Sequence, residues 1–538
     1  MNIIKGNIVD VVSSRIFKGE IHYHNGVITS IIEKEVQEDQ YILPGLINAH
    51  VHIESTMLSP LEYSKEAVKH GTVAAVCDPH EIANVLGVYG VDYMIENGKS
   101  SPFKFFFGAP SCVPATPFET SGFELNAEVI KSLLKSNEIH FLAEMMNYPG
   151  VVYNDKEVME KVNAGIWYKK PIDGHAPGLK GADLKKYAEA GITTDHECVN
   201  MEEATAKLNA GIKVQIREGS AAKNLEALYK LIDLHPGKIM LCTDDSHPDD
   251  LINGHINIIV KRCLELGCDF LNTLKAATIV PKIHYNLNVG LLQKGDCADF
   301  IIIDNPKNFN ILSTYINGEI VSDNGIVNFP KSKKVIINNF EREELNLSDL
   351  QIKTSNKTFP VMEILDGELI TKKIDIEINK DDSGNVLSDP DNDVLKIVVA
   401  SRYDNSPPSV GFVKNMNLKR GALASSIAHD SHNIIAVGTN DNDLLLTINK
   451  LIQNQGGIIA YDGEFSELRL EIAGLMTNDS AHNVARRYEI VHNKAKQMGS
   501  TLHAPFMTLS FLSLLVIPEI KISDKGIFDV NKFEFIKL

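Results

Sequence analysis

Short apolar, strand-like runs alternate with stretches of about ten residues that have the spacing of amphipathic helices. Eight such runs occur between positions 46 and 245. They are LINAHVHI (46–53), TVAAVCDP (72–79), FKFFFGAP (103–110), IHFLAEMM (139–146), KPIDGHAP (170–177), ITTDHEC (192–198), IKVQIREG (212–219) and KIMLCTDD (238–245). Near-continuous apolar strands that alternate with helices are typical of a parallel sheet with a covered outer face.

Eight strand–helix units within about 250 residues match the size of a (β/α)8, TIM-like barrel. An open, doubly wound sheet is the alternative architecture, and it usually carries a glycine-rich phosphate-binding turn after its first strand. The tripeptide His-Val-His (50–52) stands at that position here. The barrel is therefore the preferred prediction.

Residues typical of helix starts and helix ends support the predicted helices. Ser59 and Glu62, separated by Pro and Leu, predict a capping box at a helix start. Helices are expected to end at Gly71, Gly191 and Gly211, because glycine tolerates the left-handed backbone that a helix C-terminus often needs.

The flanks of the barrel have a different pattern. Residues 1–42 and 290–340 predict short strands, with Asn-Gly hairpin turns at 25–26, 317–318 and 324–325. We expect these flanks to form one composite β-sandwich subdomain beside a barrel of residues 43–289. Residues 345–538 mix strands and helices and predict a C-terminal α+β domain. The predicted fold class is therefore α/β, with two additional domains.

Composition narrows the functional classes. At 538 residues the chain is long enough for two or three domains. Its net charge of −17 makes nucleic acid an unfavourable partner. No apolar run reaches the length of a membrane span, and the first residues lack the apolar core of a signal peptide. Seven scattered cysteines without a CxxC pair predict a reduced, cytoplasmic protein.

His50 and His52 form the first candidate site. Alternate residues of a strand point to the same face, so the two imidazoles share one space. They lie at the C-terminal end of the first predicted strand, which is where barrel active sites are built. Histidine is the commonest metal ligand, and a shared metal is therefore expected. An incidental polar pair on a strand edge is the alternative for this motif taken alone.

Other predicted strand ends carry further metal-ligand residue types. These are Glu144, His175, His196, and the pair Asp244 and Asp245. An ionised glutamate in an apolar strand is costly unless it is paired or binds a metal. Four histidines and two carboxylates exceed the needs of one tetrahedral ion, whereas two ions bridged by one carboxylate would use all six. Of the two aspartates, Asp244 is favoured because it lies nearer the strand end.

The motif PGLINAHVHIEST (44–56) resembles the opening of amidohydrolase-superfamily barrels, as does GLLQKGDCADFIIID (290–304) for their outer sheet. Several long motifs are similar to those of the bacterial adenine deaminases. They are HVHIESTM, DPHEIANVLG, AEMMNYPGV, IDGHAPGL, REGSAAKN, TDDSHPDDL and, near the C-terminus, SSIAHDSHNIIAVG. The resemblance covers nearly the whole chain.

This resemblance implies a binuclear divalent metal centre, with Mn²⁺ or Fe²⁺ expected and Zn²⁺ as an alternative. One metal would take His50, His52 and Asp244, and the other would take His175 and His196. Glu144 would bridge the two, where many relatives use a carboxylated lysine.

The resemblance further implies hydrolytic deamination of adenine to hypoxanthine and ammonia. Metal-bound hydroxide would attack C6, with Asp244 as general base and then acid. One alternative is a cyclic-amide hydrolase of the hydantoinase or dihydroorotase kind, which a lysine on the fourth strand would favour. The other is a non-catalytic barrel that binds partners, which the loss of metal ligands would favour.

Substrate contacts are expected from residues near the predicted barrel mouth, although each could instead orient a metal ligand. They are His80, Glu81, Arg217, Glu218, Ser246 and His429. The segment His429-Asp430-Ser431-His432 is expected to help close the site over the base, with a structural turn or a second metal site as alternatives. The expected partners are a small purine base and a second copy of the chain in a homo-oligomer, most simply a dimer.

Overall fold

The computed structural model describes residues 1–220, 222–331 and 333–537. The chain divides into two compact units. The first unit contains Met1–Pro79, Asp92–Cys112 and Leu125–Lys333. The second contains His80–Val91, Val113–Glu124 and Lys334–Leu538, so two short segments from the first third of the chain belong to it.

The first unit contains the predicted barrel. Its parallel strands within the described ranges are Leu46–His52, Thr72–Cys77, Lys104–Ala109, Ile139–Met145, Ile172–Gly174, Thr194–Asp195, Lys213–Arg217 and Ile239–Cys242. In the described residues their hydrogen bonds form two sheets, one of the first five strands and one of the last three. Asp244–Asp245, which follows the eighth strand along the chain, pairs in parallel with Val51 and His52 of the first strand. Every residue of Leu46–His52 and Thr72–Cys77 is buried, as their apolar sequences predict.

Helices follow the barrel strands along the chain. They are Pro60–Ala67, Val88–Gly98, Ala127–Lys135, Tyr148–Val152, Lys156–Trp167, Gly181–Glu189, Met201–Asn209, Leu225–Leu228, Leu231–Leu234, Pro248–Asn253, Ile256–Glu265, Phe270–Ala276 and Ile279–Tyr285. Short 3-10 turns cover Ile53–Thr56 and Val68–His70, and the helix Val88–Gly98 spans a boundary between the two units along the chain.

The predicted glycine stops are confirmed, but the predicted capping box is wrong. Gly71, Gly191 and Gly211 have φ angles of 78°, 109° and 93°, in the left-handed region. The Ser59 side chain makes no cap hydrogen bond, and its buried hydroxyl has no hydrogen-bond partner among the described residues. The Glu62 carboxylate instead accepts a hydrogen bond from Lys65 Nζ at 2.7 Å, one turn along the same helix.

The two flanks of the barrel combine in one sheet. Within the described ranges it has eight strands in the order Ile326–Val327, Glu319–Asp323, Ile311–Ile316, Phe300–Ile303, Tyr41–Pro44, Asn2–Asp10, Arg15–His24 and Val27–Glu33. The three Asn-Gly pairs have positive φ angles at both residues, as type I′ hairpin turns require. Tyr41–Pro44 lies beside Phe300–Ile303 in the middle of this sheet and leads directly into the first barrel strand.

Gly45 joins that sheet strand to the barrel. A Cβ atom at this position would lie 2.4 Å from both Cγ atoms of Val73 on the second barrel strand. Only glycine allows this close approach, so the Pro-Gly step brings the first strand against the second without a gap.

The second unit is an α+β structure. Its larger sheet, counted over the described residues, has the order Thr371–Glu377, Thr358–Ile364, Ser409–Lys414, Val394–Ala400, Ile434–Gly438, Ala422–Ser425, Gly457–Tyr461 and Phe465–Arg469. A smaller sheet contains Ile520–Ser523, Gly526–Asp529 and Glu534–Phe535. The remaining helices are His80–Leu86, Leu347–Leu350 (3-10), Asp441–Asn454, Ala481–Gln497 and Pro505–Phe511. The predicted α/β class, with a barrel and additional sheet domains, is confirmed.

Two further observations concern the whole chain. None of the helices in the described residues is long and apolar enough to cross a membrane. All seven cysteines lie in the described ranges and are free thiols, and six of them are buried. The domain boundaries at 42, 290 and 345 stay predictions.

Candidate metal centre

The first barrel strand places two imidazoles on one face. His50 Nε2 and His52 Nε2 lie 3.2 Å apart, and both side chains are buried. His52 Nδ1 lies 3.1 Å from the backbone oxygen of Asp78 at the end of the second strand. A hydrogen bond donated there puts the proton on Nδ1 and leaves the Nε2 lone pair for a metal.

Asp244 reaches these histidines from the end of the eighth strand. Its Oδ1 lies 3.6 Å from His50 Nε2 and 3.3 Å from His52 Nε2. Its backbone has a φ of 55° and pairs with Val51. The neighbouring Asp245 accepts a hydrogen bond from Ser55 at 2.5 Å, and it approaches His52 but has no close contact with His50. The structure therefore brings Asp244 to the imidazoles, as the favoured sequence assignment expects.

Glu144 lies between two groups of histidines. Its Oε1 is 3.5 Å from His52 Nε2, while its Oε2 is 3.0 Å from His175 Nδ1 and 3.1 Å from His196 Nε2. The His50 and His196 rings stack with centroids 4.2 Å apart. One carboxylate thus faces both halves of the cluster, as a bridging ligand must.

The donor spacing fits metal coordination. Nitrogen and oxygen donors about 2.1 Å from a tetrahedral ion stand about 3.4 Å from one another. The contacts of Glu144 and Asp244 with the histidine nitrogens span 3.0 to 4.0 Å. Two overlapping donor groups are His50, His196 and Asp244, and Glu144, His175 and His196. The residues present therefore fit a pair of divalent ions.

The electrostatics of the cluster favour positive charge. Burial would raise the pKa of Glu144, but His175 and His196 hold it well below its usual range. Burial would likewise raise the pKa of Asp244, but Arg217, His50 and His52 hold that pKa well below its usual range. The carboxylates in turn outweigh burial at His175 and raise its pKa to about 9, with Glu197 and Glu144 as the main causes. A divalent cation would supply the positive charge that the carboxylates Glu144 and Asp244 favour at this position.

Two buried side chains, Tyr187 and Lys207, support the ends of the fourth, fifth and sixth strands. The Tyr187 hydroxyl donates to the backbone oxygen of Met145 at 2.9 Å and accepts from the backbone nitrogen of His175 at 3.2 Å. Buried Lys207 donates to Asp195 Oδ1 and to the backbone oxygen of Ala176. These bonds position the chain on both sides of His175.

Glu197 is a little-exposed residue of the centre that the sequence motifs do not single out. Its Oε1 lies 3.4 Å from His196 Nε2 and 3.6 Å from His175 Nδ1. Arg217 holds both of its oxygens, at 2.5 and 2.9 Å. The available signal was the adjacency of Glu197 to His196 in TTDHEC.

The residues predicted for substrate binding are divided between the two units. His80, Glu81 and His429 belong to the second unit, where Glu81 Oε1 lies 3.3 Å from His429 Nδ1. The His429 ring is buried and stacks on Phe511 with centroids 4.4 Å apart. Arg217 belongs to the barrel centre, where it contacts Asp244.

Glu218 and Ser246 line a separate groove of the first unit, with a volume of about 370 Å³. The Glu218 carboxylate accepts a hydrogen bond from the backbone nitrogen of Leu225 at 3.0 Å, at the start of a short helix. None of the six predicted metal ligands, all of which the structure describes, lines this groove. The role of Glu218 and Ser246 in substrate binding stays a prediction.

Two family models match the chain. Residues 41–321 match the model described as the amidohydrolase family, and residues 368–534 match the adenine deaminase C-terminal domain. The first match covers the barrel strands and all six predicted ligands, and the second covers most of the C-terminal region.

Curated relatives are similar over the full length. An adenine deaminase of Methanosarcina mazei is 52% identical over 99% of this chain and 98% of its own length. Adenine deaminases of Salinibacter ruber and Borreliella burgdorferi are each 47% identical over 99% of this chain, and 98% and 99% of their own lengths are covered. The chain belongs to the amidohydrolase family and, within it, to the adenine deaminases.

Proposed function

We propose that the barrel centre catalyses the hydrolytic deamination of adenine to hypoxanthine and ammonia. The observation that carries this proposal is the position of Glu144 between two groups of histidines, in a chain about half identical to adenine deaminases along its full length. A glutamate on the fourth strand also argues against the cyclic-amide hydrolase alternative, which a lysine there would favour. The presence of all six ligand residues argues against a non-catalytic barrel.

We propose that two sets of residues each hold one ion. His50, His52 and Asp244 would hold one ion, His175 and His196 the other, and Glu144 would span both. Such ions supply a water whose pKa is lowered far enough to act as a nucleophile near neutral pH. We propose Mn²⁺ or Fe²⁺, with Zn²⁺ as the alternative, because histidine and carboxylate donors suit all three.

Asp244 is the residue that we propose moves protons. Its Oδ2 is held by Arg217, whereas its Oδ1 faces His50 and His52, where the attacking water would lie. Oδ1 can therefore accept the proton of that water as it adds to C6 of the purine. The same oxygen can then pass the proton to the amino nitrogen, which leaves as ammonia.

Ammonia release from metal-loaded protein tests the proposal. Adenine, adenosine, cytosine, hydantoin and dihydroorotate are supplied separately, and ammonia or ring opening is followed for each. We expect turnover of adenine, and we expect Glu144→Gln to abolish it, because the amide cannot supply the bridging charge. Turnover of adenosine without adenine, or of a cyclic amide alone, would overturn the assignment.

Two accompanying proposals concern assembly and location. We propose a homodimer, and sedimentation equilibrium of the purified protein tests it. A mass equal to one chain across the accessible concentrations would contradict the dimer. The cytoplasmic location is likewise a prediction, supported by the reduced state expected of the scattered cysteines.

A further inference from the structure

One guanidinium joins two carboxylates beside the predicted metal ligands. Arg217 Nη1 donates to Asp244 Oδ2 at 2.5 Å and to Glu197 Oε1 at 2.5 Å, and Nη2 donates to Glu197 Oε2 at 2.9 Å. The exposed fractions of the three side chains are 9% for Arg217, 7% for Asp244 and 12% for Glu197. Charged pairs with this little solvent are held in one geometry.

The two carboxylates lie in different halves of the centre. Asp244 faces His50 and His52, whereas Glu197 Oε1 lies 3.4 Å from the His196 nitrogen that also faces Glu144. A single side chain thus fixes the orientation of a carboxylate on each side. Loss of the guanidinium would leave two negative charges, one buried and one mostly shielded from solvent, without their shared partner.

The backbone around this pair is fixed as well. Asn224 accepts a hydrogen bond from the backbone nitrogen of Arg217 at 2.9 Å. Its Nδ2 donates to the backbone oxygens of His196 and Cys198, at 3.2 and 3.0 Å. The residues on both sides of Glu197 are therefore tied to the strand that carries Arg217.

We propose that Glu197 and Arg217 form a positioning bridge that orients ligands in both halves of the metal centre, and that Arg217 acts through Asp244 rather than by contacting the purine. Both terminal nitrogens of the guanidinium point at carboxylates, in the forked geometry that suits this group. An uncharged purine offers no such partner. This inference rests on the proposed deamination, and it changes the predicted role of Arg217 from substrate binding to positioning.

Four variants test the bridge, namely Arg217→Gln, Arg217→Lys, Glu197→Gln and the double variant of Arg217→Gln with Glu197→Gln. The matched control is Arg15→Gln. Arg15 also pairs with a glutamate of the first unit, Glu33, at 3.0 Å, but this pair is exposed. For each protein we measure metal per chain after increasing chelator, kcat and KM for adenine, and the unfolding temperature.

We expect Arg217→Gln to lower kcat by about 10- to 100-fold. The chelator concentration that removes half of the metal should fall by a similar factor of about 10 to 100. KM should stay within about threefold, because substrate contacts are unchanged. Lysine should recover only part of the loss, since it keeps the charge but not the fork. The double variant should resemble the worse single variant, because the two residues act as one unit. Arg15→Gln should match the wild type.

Three outcomes would overturn the bridge. A higher KM with unchanged kcat and metal retention would show that Arg217 contacts the purine, through Nε for example, which is buried without a hydrogen-bond partner in the described residues. Additive losses in the double variant would separate the two residues. A lower unfolding temperature with normal metal retention would show a structural role only. If the wild type releases no ammonia from adenine, the proposed function fails, while the chelator comparison still tests the bridge.

Discussion

Asp244 shows how a single residue carries a functional constraint. A non-glycine residue in the left-handed region costs on the order of 1 to 3 kcal/mol, and such a conformation persists only where the surroundings determine it. Here the φ is 55°, pairing to Val51 fixes the backbone, and Arg217 fixes one carboxylate oxygen. The other oxygen is thereby aimed at the two imidazoles of the first strand. The sequence predicts Asp244 as a candidate ligand, but it does not predict this backbone conformation.

The adjacent aspartates give the sharpest residue-level comparison. Asp244→Asn should lower kcat by about 10³-fold, because the amide cannot accept the proton of the attacking water. Asp245→Asn should cost less than about tenfold in kcat, because its side chain is engaged by Ser55. Steady-state kinetics with adenine at equal metal loading measure both values. A larger loss at Asp245 would reverse the assignment of the two residues.

The sequence predicts six candidate ligands because strand ends and residue chemistry can be read without coordinates, and the structure brings their side chains together. Glu197 was missed since its neighbour His196 already accounted for the polar strand end. The proposed positioning role of Arg217 could not be predicted from the sequence either. Its hydrogen bonds to two carboxylates depend on the side-chain rotamers of residues from different strands. Positions set by strand periodicity were predictable, whereas contacts between side chains were not.

At the scale of elements, turn chemistry was the most reliable signal. Each Asn-Gly pair of the outer sheet forms a hairpin with positive φ angles at both residues. The capping box at Ser59 failed because Glu62 pairs with Lys65 instead of reaching back to the helix start. A local motif therefore predicts a helix start better than it predicts the bonds made there.

Two of these hairpin glycines form a matched pair for a stability measurement. Gly26 and Gly325 both have a φ of 77°, but a Cβ at Gly26 would meet the Asn317 oxygen at 2.9 Å, while nothing lies within 4 Å at Gly325. Gly325→Ala should cost about 1 to 2 kcal/mol from the backbone alone. Gly26→Ala should cost about 1 to 3 kcal/mol more, because the backbone of the second hairpin must move.

Chemical denaturation of the two variants beside the wild type measures this difference. The shared φ cancels the conformational part, so the excess at Gly26 reports the contact with the neighbouring hairpin. Equal losses in the two variants would show that the hairpin moves without cost.

At the scale of the whole molecule, bound metal should contribute to stability. A ligand that binds only the folded state adds about 4 kcal/mol when its concentration is 1,000 times Kd. Chelation should therefore abolish ammonia release and lower the unfolding temperature, because the buried carboxylates lose their cationic partners. Calorimetry before and after chelation, with Mn²⁺, Fe²⁺ or Zn²⁺ then added back separately, measures the effect. An unchanged unfolding temperature, together with full loss of activity, would contradict the stabilising role.

The division into units is the whole-molecule feature that sequence periodicity did not predict. The repeat of strands and helices assigns residues 43–289 to one barrel, and it contains no sign that His80–Val91 and Val113–Glu124 pack with the C-terminal residues. Such packing depends on contacts between residues hundreds of positions apart. Local patterns carry no information about them, whereas the class of each domain was available from its own pattern.

These two segments also constrain the order in which the chain can mature during synthesis. They leave the ribosome early, but the residues with which they pack begin at Lys334, roughly 200 residues later. At a synthesis rate of about 5 to 20 residues per second, this separation is a delay on the order of ten to forty seconds. The first barrel strands can associate in that interval, while the two segments wait exposed to chaperones and proteases. The last-made part of the chain is thus required to complete structure that began near its first hundred residues.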